Sequence, residues 1–175
     1  MAQQFYTVAS PGTAIVTNKC LLGIFNGVGS GKIVRVYRTI LLNNQTTAIT
    51  GIALKLNINL LSTGSGGILL NPVKHDSQHL AIPAQVVTST NMTYTTSQIY
   101  RIVPWSTDEP NSQGVHSIDE LQLLNSLNDM TNHWWSFNNT TIQPIVLREG
   151  QGLGIINTTV TAVGVVDCFI EFSVE

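Results

Sequence analysis

The stretch IALKLNINL, residues 52–60, decides the fold class. Ile52, Leu54, Leu56, Ile58 and Leu60 fall on one side of an extended chain; Ala53, Lys55, Asn57 and Asn59 fall on the other. A period of two with one apolar face marks a strand lying between a core and water. The closing stretch repeats it: Val166, Cys168, Ile170, Phe172 and Val174 alternate with Asp167, Phe169, Glu171 and Ser173. Residues 32–42, KIVRVYRTILL, are β-branched and aromatic, with Val34 and Val36 alternating against Arg35 and Tyr37 before an apolar finish. Each of the three reads as a strand.

Working outward, further strands are expected over 13–16, 21–25, 68–70, 85–95, 99–105, 142–148 and 153–158. Turn chemistry separates them: Asn26-Gly27, the glycines from Gly64 to Gly67, Asn71-Pro72 and Glu149-Gly150. Short strands spaced by roughly 8–12 residues argue for a sandwich or barrel and against parallel βαβ units. One segment departs from the pattern. Ser117-Ile-Asp-Glu120 fits a capping box, and Ile118, Leu121, Leu124 and Leu127 recur at helical spacing, which predicts a short helix over about 118–128. It lies inside a long excursion, 106–141, of the kind that serves as a binding or interface loop.

Composition narrows the function classes. Only 10% of the 175 residues are charged, against about 25% in typical soluble domains. Instead 20 Thr, 15 Asn, 13 Ser and 10 Gln supply roughly a third of the chain. Disorder needs low hydrophobicity and high net charge, whereas 43% of residues are hydrophobic and the formal charge is -2. Eight Lys and Arg against ten Asp and Glu make no basic footprint, so no nucleic-acid partner is expected. No run approaches the roughly 18 apolar residues of a membrane span, and no membrane partner is expected. The opening MAQQFYTVASPG has neither the charged nor the apolar region of a signal peptide. Cys20 and Cys168, both within apolar stretches, read as buried thiols.

Motifs for chemistry fail in detail. His75 and His79 in HDSQH have zinc spacing, but Pro72 and Pro83 bracket them, Asp76 stands where a metalloprotease needs glutamate, and no third ligand is marked. A polar loop held by its own hydrogen bonds is expected there. The run from Gly27 to Lys32 invites a phosphate loop, yet Asn26 occupies the first glycine position and Ile33 the magnesium-binding one. A hairpin loop is the better account. Asp108-Glu109, Asp119-Glu120 and Asp129 read as solvated loop carboxylates. The chain is therefore expected to be no enzyme and to hold no cofactor or metal.

Aromatics gather instead. Trp134, Trp135 and Phe137, with His133 beside them, lie in NHWWSFNN, and Trp105 opens the same excursion. These five are the candidate interface or binding residues; plugging the core, meeting a protein and stacking on a sugar all remain open for them. The shortage of charge points toward contact, because soluble monomers keep apart by surface charge and interface cores lack it. A homo-oligomer is expected.

The succession GKIVRVYRTILLNNQTTAITG, NPVKHDS, PWSTDEP, QPIVLREGQGLGI and VVDCFIEFSVE, from about Gly31 to Glu175, resembles small all-β structural proteins of tailed-bacteriophage virions. Arg148-Glu149-Gly150 followed by Gly152-Leu153-Gly154-Ile155 looks like the last hairpins of viral jelly rolls. The resemblance implies an antiparallel jelly-roll-like β-sandwich over 13–175 with the one short helix in its long loop, and an N-terminal arm over 1–12. It implies a decoration or cement protein that binds the major capsid protein, most simply as a trimer, in a virion assembled in the host cytoplasm. The alternative is a fibre or tail module binding a receptor or carbohydrate through 106–141. The resemblance carries a role and no contact residues.

Overall fold

The computed structural model describes residues 3–43, 53–106, 135–136, 143–158 and 164–175, and all regular structure among them is β. Along the chain run β1 (Gln4–Ala14), β2 (Cys20–Asn26), β3 (Val34–Asn43), β4 (Ala53–Ser65), β5 (Ile68–Leu69) and β6 (Val73–Lys74). Then come β7 (Val86–Thr90), β8 (Thr93–Ser106), β9 (Trp135–Ser136), β10 (Ile145–Leu147), β11 (Gln151–Asn157) and β12 (Val165–Val174). They form two sheets in which every pairing is antiparallel. The first runs β10-β3-β12-β1-β6, with β9 pairing β3; the second runs β5-β7-β2-β11-β4-β8. One core joins them: Tyr6, Val36, Ile170 and Phe172 from the first sheet cluster with Leu22, Ile24, Ile58, Leu153 and Ile155 from the second.

The alternation of β12 is realised as far as Phe172; Ser173, read as outward, is fully buried, its Oγ accepting from Gln3 Nε2 at 2.8 Å. Val166, Cys168, Ile170, Phe172 and Val174 are buried, while Asp167, Phe169 and Glu171 are half-buried. A fully buried side chain of this size contributes about 1.5–3 kcal/mol. In β3 the register against β12 slips between Val36–Phe172 and Arg38–Glu171, leaving Tyr37 as an extra residue. This bulge inverts the parity of the strand. Val34 and Val36 face the core before it, Thr39 and Leu41 after it, and all four are fully buried. The apolar finish of 32–42 is thus a change of phase.

Other differences from expectation have local causes. Within the stretch expected as an arm, residues 4–12 belong to a strand: β1 lies between β12 and β6, with Tyr6 and Val8 buried and Phe5 and Ala9 exposed. Pro11-Gly12, which reads as a break, is a bulge between Ser10 and Thr13. There Gly12 takes φ +63 and its N–H donates to Asp167 Oδ1 at 2.7 Å. The 27–32 run is a crossing and not a hairpin, because β2 and β3 belong to different sheets. The expected strand 85–95 divides into β7 and β8 at Asn91, whose φ is +54. The expected helix, 118–128, lies outside the described residues.

Asn57 and Asn59, expected to face water, are buried. A second apolar cluster explains why the outer face of the second sheet is not simply solvated. Cys20, Leu61, Met92 and Ile156 pack there, with Phe25, Val87 and Tyr94 partly buried against them. Glycine makes the approach possible: a Cβ on Gly154 would stand 2.7 Å from Cys20 Sγ, and one on Gly152 would stand 2.6 Å from Phe25 Cδ2.

Both cysteines are free and buried, on strands of different sheets. Burial pushes the Cys20 thiol up to about 12 and the Cys168 thiol well above its ordinary value. Since the thiolate is the reactive species, native protein mixed with a disulfide reagent such as DTNB is expected to release no chromophore within minutes. Unfolding in guanidinium should release two equivalents. Prompt reaction of either thiol in the native state would contradict the packing described for β2 or β12.

Candidate functional site

The histidine motif resolves into packing. Between β6 and β7, His75 Nε2 lies 2.7 Å from Thr7 Oγ1 and its ring stacks on Phe5 at 6.3 Å. His79 Nδ1 lies 3.2 Å from the Phe5 carbonyl, and its ring tilts against Tyr6 at 5.8 Å. Asp76 Oδ1 accepts the Gln78 N–H at 2.9 Å, closing the turn between them. Both imidazoles therefore fasten this loop onto β1. Among the described residues no group of three His, Cys, Asp or Glu side chains is placed to hold a metal ion.

The glycine-rich crossing does cradle an anion, and the anion is its own. The N–H groups of Gly29 and Gly31 donate to the two carboxylate oxygens of Glu149 at 3.0 and 2.7 Å. Both glycines have positive φ, +81 and +63, which turns the amides inward. Beneath the cradle the fully buried Asn26 side chain donates to the carbonyls of Lys32 at 2.8 Å and Leu147 at 3.1 Å. It also accepts the Ser30 hydroxyl at 2.6 Å. The β2–β3 and β10–β11 crossings are thereby tied together. An exogenous phosphate would have to displace Glu149.

Of the five aromatic-cluster candidates, the structure places two. Trp105 stands opposite Leu54 near the end of β8 in the second sheet, and Trp135 stands opposite Thr39 in the first. His133, Trp134 and Phe137 lie outside the described residues, as do the paired carboxylates from Asp108 to Asp129. The described backbone therefore puts the two tryptophans on different sheets.

What sequence reasoning missed is where apolar surface is exposed. Ile68, Leu69, Val73 and Leu80 each leave about two-thirds of their surface in solvent. They sit where β5 ends the second sheet and β6 ends the first. At the opposite end of the second sheet, Ile99, Tyr100 and Ile102 on β8 are about half exposed. A terminal strand normally protects its edge with charges or brevity. β8 has 14 residues and one charged side chain, Arg101. The available signal was the isolated run Ile68-Leu69-Leu70, set between Gly67 and Asn71-Pro72 in a charge-free stretch. Contiguous exposed apolar side chains are a candidate contact surface.

What the described residues define is an all-β scaffold whose 27–32 and 75–79 loops are engaged by the chain's own groups, with apolar sheet edges. Comparison with protein-family models, with curated proteins and with solved structures found no match.

Proposed function

We propose that this chain is a structural subunit of a virus particle, a jelly-roll protein that decorates and cements a phage capsid as a homo-oligomer. The strand order carries the reading. Without β5, β6, β7 and β9, the sheets reduce to β1-β12-β3-β10 and β2-β11-β4-β8. Followed along the chain, these eight strands change sheet at every connection except the β4–β8 hairpin. That order supports a reading as two interleaved Greek keys, the jelly roll of many capsid domains. Strands β5 to β7 are then an insertion between its fourth and fifth strands.

The fold alone names no function; exposed apolar edges and scarce charge supply the second support. A subunit that binds assembled shell more tightly than free shell protein stabilises the assembled state by mass action. Several copies joined in one oligomer multiply that effect through effective concentration. Neither step needs a catalytic group or a cofactor, and the major capsid protein is the partner.

Size-exclusion chromatography with light scattering is the first test, and three times the 19.0 kDa of the chain is the mass expected. A monomer at micromolar concentration would overturn the oligomer. Co-sedimentation with phage heads lacking decoration tests the role itself. An oligomer that ignores heads yet binds a glycan array would replace this role with the fibre one.

A further inference from the structure

We infer that the side of the fold closed by β5, β6 and β7 is a binding groove for an extended peptide that carries apolar side chains beside a carboxylate. The chain crosses from the second sheet to the first between β5 and β6, at Leu70-Asn71-Pro72, and returns through 79–85 to β7. Between these two passes lies a cleft of about 400 Å³, with Tyr6, Leu70, Ile82, Val86 and Lys74 among its walls. Pockets that hold organic ligands start at about 300 Å³, so the cleft has room for two or three aliphatic side chains. Leu69, itself about two-thirds exposed, lines it, and Ile68 and Val73 are its exposed strand neighbours on β5 and β6.

Two features select a peptide and its charge. Among the described residues both rims are terminal strands: β5 pairs only β7 and β6 pairs only β1. The Leu70 N–H donates to the Thr88 carbonyl at 2.8 Å. By the alternation of an antiparallel ladder, the N–H and C=O of neighbouring Leu69 then point away from β7. An added strand would find main-chain partners there and send every second side chain toward the cleft. Lys74 supplies the charge preference. It is exposed, it lines the cleft, and it pairs with no carboxylate among the described residues. The nearest histidines do not compete for a ligand, because His75 is engaged by Thr7 and Phe5, and His79 by the Phe5 carbonyl.

The groove lies on one of the apolar edges that the capsid reading also invokes, but its test does not rest on that reading. Its test is read by peptide titration, whatever oligomeric mass the protein shows. Fluorescence anisotropy with a fluorescein-labelled octapeptide of alternating valine and glutamate should give a dissociation constant on the order of 100 µM. The valine–lysine counterpart should bind about tenfold more weakly. Lys74→Glu, at an exposed position, should exchange the two preferences. Ala84→Trp, at the cleft wall, should weaken both peptides. Absence of binding up to millimolar protein, equal affinity for both peptides, or indifference to both variants would overturn the groove. Sodium decanoate is the remaining arm: if it binds wild type, loses affinity in Lys74→Glu, and the peptides never bind, the cleft is an aliphatic-acid pocket and the peptide groove is wrong.

Discussion

Replacing Phe172 by alanine is expected to cost about 3–5 kcal/mol of folding stability. Domains of this kind are stable by about 5–15 kcal/mol in total, so one truncation would remove at least a fifth of the margin. The size of the effect follows from position. Phe172 is fully buried in β12, the strand between β3 and β1 at the centre of the first sheet. Its register partners are Val36 on one side and Tyr6 on the other, and its ring stacks on Tyr6 with centroids 5.7 Å apart. The same core cluster reaches Leu22, Ile24 and Leu153 in the second sheet. The cavity would therefore open between two sheets, each held rigid by its own ladder, and could collapse only in part. Phe172→Leu refills much of the volume and should cost about 1–2 kcal/mol. Guanidinium denaturation reads the difference as a lower midpoint at unchanged slope. A loss below about 1 kcal/mol for Phe172→Ala would mean that the two sheets do not pack on each other there.

How much of this was legible in the sequence depended on what each residue answers to. β12 was legible as far as Phe172 because it is central in its sheet and a single period sorts its side chains into two environments; only Ser173, buried on the outward parity, escapes it. β3 was legible as a strand but not in phase. Tyr37 is an acceptable strand residue, and nothing local says that β12 will skip it. β4 misled at Asn57 and Asn59. Their amides read as water-facing, whereas the outer cluster around Cys20, Leu61, Met92 and Ile156 takes up part of that face. That cluster depends on Gly23, Gly152 and Gly154, whose missing side chains leave no periodic trace. β1 was hidden by Pro11-Gly12, which reads as a stop although Gly12 only bulges the strand.

The candidate sites failed or survived for similar reasons. A motif states which residue types are near in sequence, and the Glu149 that fills the glycine cradle is far away in it. Exposed edges were illegible because edge status belongs to sheet order: Ile68 and Leu69 read as any buried run until β5 is known to end its sheet. The scarcity of charge was visible from the start and agrees with those edges. The excursion 106–141 supplied the aromatic residues on which the sequence reading leaned most. Of these only Trp105 and Trp135 fall among the described residues, on separate sheets.

Asn26 is the position where a polar substitution is expected to do the most damage. Its side chain is fully buried and satisfied by three hydrogen bonds, two given to the Lys32 and Leu147 carbonyls and one taken from Ser30. Its own carbonyl accepts the Gly150 N–H at 2.7 Å. Leucine has nearly the same shape but would take the amide donor from two carbonyls, the Leu147 one buried and the Lys32 one part-buried. A buried loss costs about 1–3 kcal/mol and a part-buried one less, which places Asn26→Leu at about 1.5–4 kcal/mol. Aspartate is the sharper probe. It keeps the acceptor for Ser30 but turns a second oxygen toward the two carbonyls, so an ionised side chain there should be at least as damaging as leucine. Ser30→Ala removes one donor from a part-buried site and should cost only about 0.5–1.5 kcal/mol. The ranking separates a clamp from simple volume: if shape alone mattered, leucine would be nearly harmless and aspartate mild. Amide hydrogen exchange gives the local readout, since the Gly29 and Gly31 N–H groups are held by Glu149 only while both crossings keep their places. Their protection should fall in Asn26→Leu more than in Ser30→Ala. Unchanged protection together with a stability change within about 0.5 kcal/mol would show that the two crossings hold their positions without Asn26.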